Sequence, residues 1–361
     1  MSESIAQPSP TIMHPTVSSN APWEEYQRPY VRDLAYVLAC PNVLTEWLDF
    51  APHQNNPTIA VHSPNFWQTQ FEAYRERLNE LDTTNAYQEL TRYLLARPSP
   101  NRLGFHFEGL LSFWLEDGFA RKLHHYEMLA SNVQLFCGKQ TSGELDLILY
   151  NHQDEITEHW ELAIKFFMGS APFVPVNWVG INSNDNLQRK MTHMQTKQFR
   201  TVWVDTKDHG RVKIDKRYGV IKGRFFLPTT VADFNYPDWL EPSFPMHRWL
   251  AIPDNQNSNI TPEALNLDKN KIEDPTKDPV SNIETMTEPL SDITDIRRAH
   301  YIEWFTQRSF YNKNKTLPKV PSDLATLPQG LYFIQMSDQE SYEPMVILHT
   351  DVNASQNILI D

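Results

Sequence analysis

The sequence predicts an α/β protein in which an N-terminal set of helices precedes the order α-β-β-β-α-β. Three observations point there. Apolar residues recur at helical spacing as far as Leu115, and the period then switches to alternation through three successive runs. A capped helical stretch follows, and three more strand-like runs come after it, which implies a mixed sheet flanked by helices. With 361 residues, 40% of them apolar and 12% aromatic, the chain can bury a sizeable core, so global disorder is excluded.

Residues 1–22 are Ser/Pro-rich and lack the apolar stretch of a signal peptide, so they read as a flexible tail. Arg28 to Cys40 places Val31, Leu34, Ala35 and Leu38 on one stripe, and Pro41 stops the helix. A second helix carries Trp67, Phe71, Tyr74, Leu78 and Leu81 on one face. A third ends near Ala96, before Pro98 and Pro100, and completes a helical lobe over 23–100. Asn101 to Leu115 opens the α/β core assigned to 101–250, with Leu103, Phe107, Leu110, Leu111 and Trp114 inward. Val133–Phe136, Gly143–Tyr150 and His159–Phe167 read as strands, followed by a helix from Asn184 or Asp185 to about Arg200. Thr201–Asp205, Arg211–Tyr218 and Val220–Leu227 read as further strands.

Residues 251–295 contain no Phe, Trp or Tyr and hold 10 acidic residues against 3 Lys, the composition of a disordered acidic linker. After it the pattern predicts a small C-terminal α+β segment, 296–361, packed on the core. Its parts are a helix over Ile296–Ser309 with Tyr301, Trp304 and Phe305, and strands at Gly330–Met336 and Pro344–Leu348.

Several chemistries are excluded or disfavoured. There is no G-x-G-x-x-G or G-x-x-x-x-G-K cradle, and Cys40 and Cys137 form neither a disulfide framework nor a zinc pattern. No apolar run reaches membrane-spanning length, so the expectation is a cytoplasmic protein. The net charge of −13 argues against a generic nucleic-acid binder. The charge is uneven, however, because residues 101–230 hold 16 Lys/Arg against 14 Asp/Glu.

Alternate side chains of a strand share a face. Leu145, Leu147 and Leu149 therefore fall on one face and Glu144 and Asp146 on the other, while Glu161, Ala163 and Lys165 share a face of the next strand. Pairing the two strands with their apolar faces in one core brings Glu144, Asp146, Glu161 and Lys165 together. Glu108, the single charge between Leu103 and Leu115, approaches from the helix. Such a cluster suits a Mg²⁺ ion, which takes one or two carboxylates plus water and substrate phosphate. It equally suits the solvated face of a sheet, with charges paired across strands.

The order of an apolar helix with one Glu, then G-E-L-D-L-I (Gly143 to Ile148), then W-E-L-A-I-K (Trp160 to Lys165), resembles the PD-(D/E)XK nuclease superfamily. More narrowly, R-L-G-F-H-F-E-G-L-L-S-F-W-L, G-E-L-D and H-W-E-L-A-I-K-F resemble the bacterial domain-of-unknown-function family eighteen fifty-three, over roughly residues 28–250. The resemblance implies a restriction-endonuclease-like αβββαβ core and a Mg²⁺- or Mn²⁺-dependent phosphodiesterase acting on DNA or RNA. Asp146, Glu161 and Glu108 would hold the metal, Glu144 would assist, and Lys165 would position the water. Lys190 and Gln198 on the following helix would stand beside the metal. Read from the residues themselves, Arg189 with Arg211, Lys213 and Arg217 suits phosphates, although an exposed edge strand kept soluble by charges would look the same; the tryptophans read as core, with Trp178 in the N-W-V-G loop the one that opens into the basic helix.

The sequence departs from that pattern at one place. The superfamily's acid stands two residues before its lysine, where this chain has Ala163. The acid here is Glu161, two further back and roughly 6.6 Å away along the strand at ~3.3 Å per residue. The rival expectations are a catalytically silent member that binds nucleic acid or a protein partner, and a scaffold that docks a partner through the acidic linker and C-terminal helix. One stability prediction follows from composition. Deleting Gln256 to Glu288 should leave a cooperative melting transition, since a segment without aromatics buries little surface; loss of cooperativity would show the segment to be structural.

Overall fold

Proline starts two of the helices, where its missing N–H costs no hydrogen bond: α1 at Pro29–Ala39 and α2 at Pro64–Thr83. The Ser63 hydroxyl accepts from the Phe66 backbone N–H at 3.2 Å and caps α2. The computed structural model describes residues 21–50, 57–100, 102–137, 140–181, 184–253, 293–306, 326–337 and 342–350. The expected tail, except for its last two residues, and the 254–292 stretch of the expected acidic linker lie outside them. Helices α3 (Tyr87–Ala96) and α4 (Leu103–Ala120) follow. Among the described residues, no helix is long and apolar enough to cross a membrane.

The chain is a mixed α/β protein that divides into two compact units. In the first, β1 (Tyr126–Cys137), β2 (Gln140–Asn151) and β3 (Ile156–Gly169) form an antiparallel meander. The short β4 (Trp178–Gly180) pairs with the end of β3. Next come α5 (Leu187–His193), a π-helical turn (Met194–Gln198) and the hairpin β5 (Trp203–Thr206) with β6 (Gly210–Lys213). The chain then returns as β7 (Lys216–Pro228), parallel to β3 from Glu158↔Lys216 to Met168↔Phe226. β8 (Met246–Pro253) starts parallel to β7 at Phe225↔Met246.

Helices α1–α4 bury their apolar faces in the same core as the sheet. At its centre Trp160 packs against Tyr126 (5.4 Å between ring centroids), Trp67 (6.1 Å) and Trp114 (6.4 Å). β7 ties α1 to the sheet. Lys222 donates to the Val37 and Cys40 carbonyls at the end of α1, each at 2.5 Å. The Asn42 side chain accepts from the Ile221 N–H at 2.7 Å and donates to the Gly219 carbonyl at 2.8 Å, filling part of the strand edge that β8 does not reach.

The second unit has its own core of Leu250, Ile252, Ile293, Ile296, Tyr332, Ile334 and Ile347. Its strands β9 (Ile293–Arg298), β10 (Gly330–Met336) and β11 (Glu343–Thr350) pair antiparallel with β10 in the middle.

Several elements differ from expectation. The helix expected over Ile296–Ser309 is β9 followed by a 3₁₀ turn at Tyr301–Trp304, with 307–309 outside the described residues. Its aromatic spacing came from tertiary packing: Phe305 is buried edge-on against Tyr36 and His106. The runs read as separate strands around Gly219 are one strand. Gly219 sits there because a Cβ would come within 2.4 Å of the Trp47 ring, and the chain break falls earlier, after Lys213. Neither β4 nor β8 was expected.

Gly223 is the tightest point of the β3–β7 ladder. Its φ is +134°, and a Cβ would come within 1.8 Å of the Lys165 carbonyl oxygen. Gly223→Ala should therefore cost at least about 2 kcal/mol in chemical denaturation. An unchanged midpoint would show that the two strands can part there freely.

Candidate functional site

The β2–β3 ladder runs from Asn151↔Ile156 to Leu147↔Trp160 and stops there. Continued, it would offer the Leu162 N–H a backbone carbonyl of β2; instead that N–H donates to Asp146 Oδ2 at 2.7 Å. A side chain thus takes the place of a ladder bond at the point where the strands part. The leucine face expected to be continuous divides at the same place. Leu147 and Leu149 join the main core, while Leu145 packs with Ile148, Val204 and Ile214.

Asp146 and Glu161 meet in that opening and hydrogen-bond to each other. Glu161 is fully buried and Asp146 is half-buried. Glu161 accepts from the Gln198 amide, which the π-helical turn presents, and His159 Nε2 lies 3.1 Å from its other oxygen. Burial, then the adjacent Glu161 charge, holds Asp146 well above the usual carboxylate range. Burial likewise raises Glu161 to about 7, opposed by the Asp146 hydrogen bond and the Lys190 ammonium. Both shifts favour a proton held on the pair. The charge of Lys190 on α5 acts on the pair, and the first turn of α5 is capped by the Asn186 side chain accepting from the Arg189 N–H at 2.8 Å. Burial lowers the Lys190 pKa, and the attraction of Glu161 opposes that shift.

Glu108 approaches from α4. Burial, then the charge of Asp146, raises it to about 7, and the Asn132 amide donates to it at 3.2 Å. Glu144 faces Gln134 across the β1–β2 ladder and accepts from its amide at 2.6 Å. Lys165 is placed differently from the others. Its ammonium donates to Asp185 at 2.5 Å, ahead of α5. It stands four positions beyond Glu161, about 13 Å along a strand at ~3.3 Å per residue.

Among the residues expected to meet phosphates, Arg189, Arg211 and Lys213 are exposed. Arg217 is buried and structural: Nε donates to the Phe199 carbonyl at 2.8 Å and Nη2 to that of Thr201 at 2.6 Å, closing the turn after α5. Trp178 is also core. Its ring stacks on Phe225 at 4.7 Å, and Nε1 donates to the Phe173 carbonyl at 3.2 Å, so it presents no face to a base.

Sequence reasoning missed His159, Asp185 and Asn132. His159 was legible, because it stands two residues before Glu161 and so shares its face. Burial pushes its pKa to about 4, which keeps the ring neutral beside the acid pair. Among the described residues no three His, Cys, Asp or Glu side chains come together as a metal cage. Two adjacent carboxylates fit the sparse protein donor set of Mg²⁺, whose other positions go to water and substrate phosphate.

The raised pKa of Glu161 fixes the sign of a pH effect. A carboxyl that binds its proton more tightly in the folded than in the unfolded protein loses stability as pH rises from its ordinary range, about 4.5, to about 7. Glu161→Gln should flatten stability across that window and exceed wild type above pH 7 by roughly 1–3 kcal/mol. An unchanged pH profile would refute the shared proton.

A family model described as a domain of unknown function, DUF1853, matches residues 32–265. The match spans α1 through β8 and includes every residue of the acid cluster. No curated protein and no solved structure matches the chain. The family model covers well over half of the sequence, and the chain belongs to this family.

Proposed function

We propose that the protein is a Mg²⁺-dependent phosphodiesterase acting on nucleic acid, built on a restriction-endonuclease-like core. The observation that carries this reading is the contact between the fully buried Glu161 and the half-buried Asp146 where the β2–β3 ladder ends. Two carboxylates in contact need positive charge between or beside them. At rest a shared proton and Lys190 supply it. A bound divalent cation supplies Lewis acidity and an acidified water. The element order α4-β1-β2-β3-α5 and the G-E-L-D strand support the same reading.

The chain's own residues have definable tasks. The Leu162 N–H holds Asp146, and Gln198 and His159 hold Glu161, so both carboxylates are oriented before any substrate arrives. Glu108, with a pKa of about 7, is poised to take a proton from the attacking water near neutral pH. In this reading Lys190 would offset the negative charge that develops on the phosphate, while Lys165 is held by Asp185. In this reading Glu161, two residues before Ala163 on β3, would serve as the acid, and Lys190 from α5 as the lysine.

Cleavage of single- and double-stranded DNA and RNA with Mg²⁺ or Mn²⁺ tests the reading. Asp146→Asn and Lys190→Met should each lower the rate about 100-fold or more, and Lys165→Met by less than about 10-fold. A wild-type protein that binds these substrates but cleaves none of them would leave only the silent-binder alternative.

A further inference from the structure

The β5–β6 hairpin carries a surface that the acid pair does not use. Its strands alternate cleanly. Val204 and Thr206 point inward, while Trp203, Asp205, Arg211 and Lys213 share the outward face, with Trp203 opposite Lys213 and Asp205 opposite Arg211. The Trp203 side chain is 50% exposed, next to Val202 at 46%, an uncommon placement for the largest apolar side chain. The Arg211 guanidinium lies 5.6 Å from the Trp203 ring centre, close enough for a cation–π contact that steadies the indole. Beside it opens a cleft of about 400 Å³ lined by Arg200, Val202, Lys213, Ile214, Asp215 and Arg217. From Lys197 to Arg217 the chain has seven basic and three acidic residues, in a protein of net charge −13.

An exposed aromatic face flanked by cations matches one chemistry closely: an unpaired base on the ring and phosphates on the flanking charges. Paired bases keep their faces within the duplex stack and offer none to an indole. We infer that the outward face of the β5–β6 hairpin binds single-stranded nucleic acid, with Trp203 stacking a base and Arg211, Lys213 and Arg200 meeting the backbone.

The hairpin is also tied to the acid pair. Val204, next to Trp203, packs with Leu145 and Ile148, which bracket Asp146 on β2. Gln198, which holds Glu161, lies five residues before Trp203 along the chain. A strand stacked on Trp203 is thereby delivered toward Asp146 and Glu161; this delivery rests on the phosphodiesterase reading, whereas the binding does not.

The test is fluorescence anisotropy with short single-stranded and duplex oligonucleotides in EDTA, where metal-dependent cleavage is off. Trp203→Ala should weaken single-strand binding about ten-fold or more, and Trp203→Phe should retain most of it. Arg211→Ala with Lys213→Ala should weaken binding and lower the slope of log affinity against log salt by about 0.7 for each phosphate no longer neutralised. Unaltered melting of these exposed-site variants shows that the hairpin still folds. Single-strand affinity unchanged in Trp203→Ala, a duplex preference, or no measurable binding by wild type would overturn the inference. Trp203-dependent binding without any Mg²⁺-dependent cleavage would refute the phosphodiesterase and keep the hairpin site. Cleavage unaffected by Trp203→Ala, with single-strand affinity also unchanged, would do the reverse.

Discussion

Two carboxyl groups in contact inside a protein set the terms for everything around them. Glu161 lies fully buried on a central strand and Asp146 reaches it from the neighbouring one, so burial disfavours ionisation of both and the Glu161 charge disfavours that of Asp146. Stability alone does not call for such a pair, because apolar side chains of similar volume would pack there at no electrostatic cost. The structure tolerates it by committing one side-chain oxygen to the orphaned Leu162 N–H and by surrounding Glu161 with donors from β3 and the π-helical turn. The aromatic cluster at Trp160 and the close β3–β7 approach at Gly223 hold β3 on its other side, which leaves it free to part from β2 at one place only among the paired residues described.

The crossover from β3 to β7 supplies what the strands cannot. A strand delivers a functional group every second residue on a given face, so an acid and a lysine four residues apart are too distant to serve one atom. A short helix widening into a π turn has no such restriction, and π turns recur at functional sites because the extra residue redirects side chains. Here Gln198 from the π turn hydrogen-bonds Glu161, and the charge of Lys190 from the helix acts on it. The next stretch of chain then forms the hairpin whose inner residues wedge against the Asp146 strand.

Much of this was legible in the sequence, and the failures have physical causes. Alternation located β2 and β3 and put Asp146 near Glu161, and helical periodicity located α1 to α4. The signal failed where a side chain did the backbone's work: nothing in G-E-L-D announces that Asp146 will replace a ladder bond and split the Leu145–Leu147 face. It failed again where tertiary packing imitated local periodicity, as with the buried Phe305. Gly219 read as punctuation although its purpose is to admit the Trp47 ring. Among aromatics, Trp178 in a loop-like N-W-V-G sequence is buried, whereas Trp203 in a strand is exposed; burial of a lone tryptophan is decided by partners far along the chain.

The central claim is that the acid pair holds a proton which a divalent cation displaces. Titration calorimetry with Mg²⁺ and Mn²⁺, run above pH 7 in buffers of different ionisation enthalpy, measures that displacement directly. The account predicts binding that releases about one proton per ion, lost in Asp146→Ala. Absence of binding, or binding that neither releases a proton nor depends on Asp146, would contradict it.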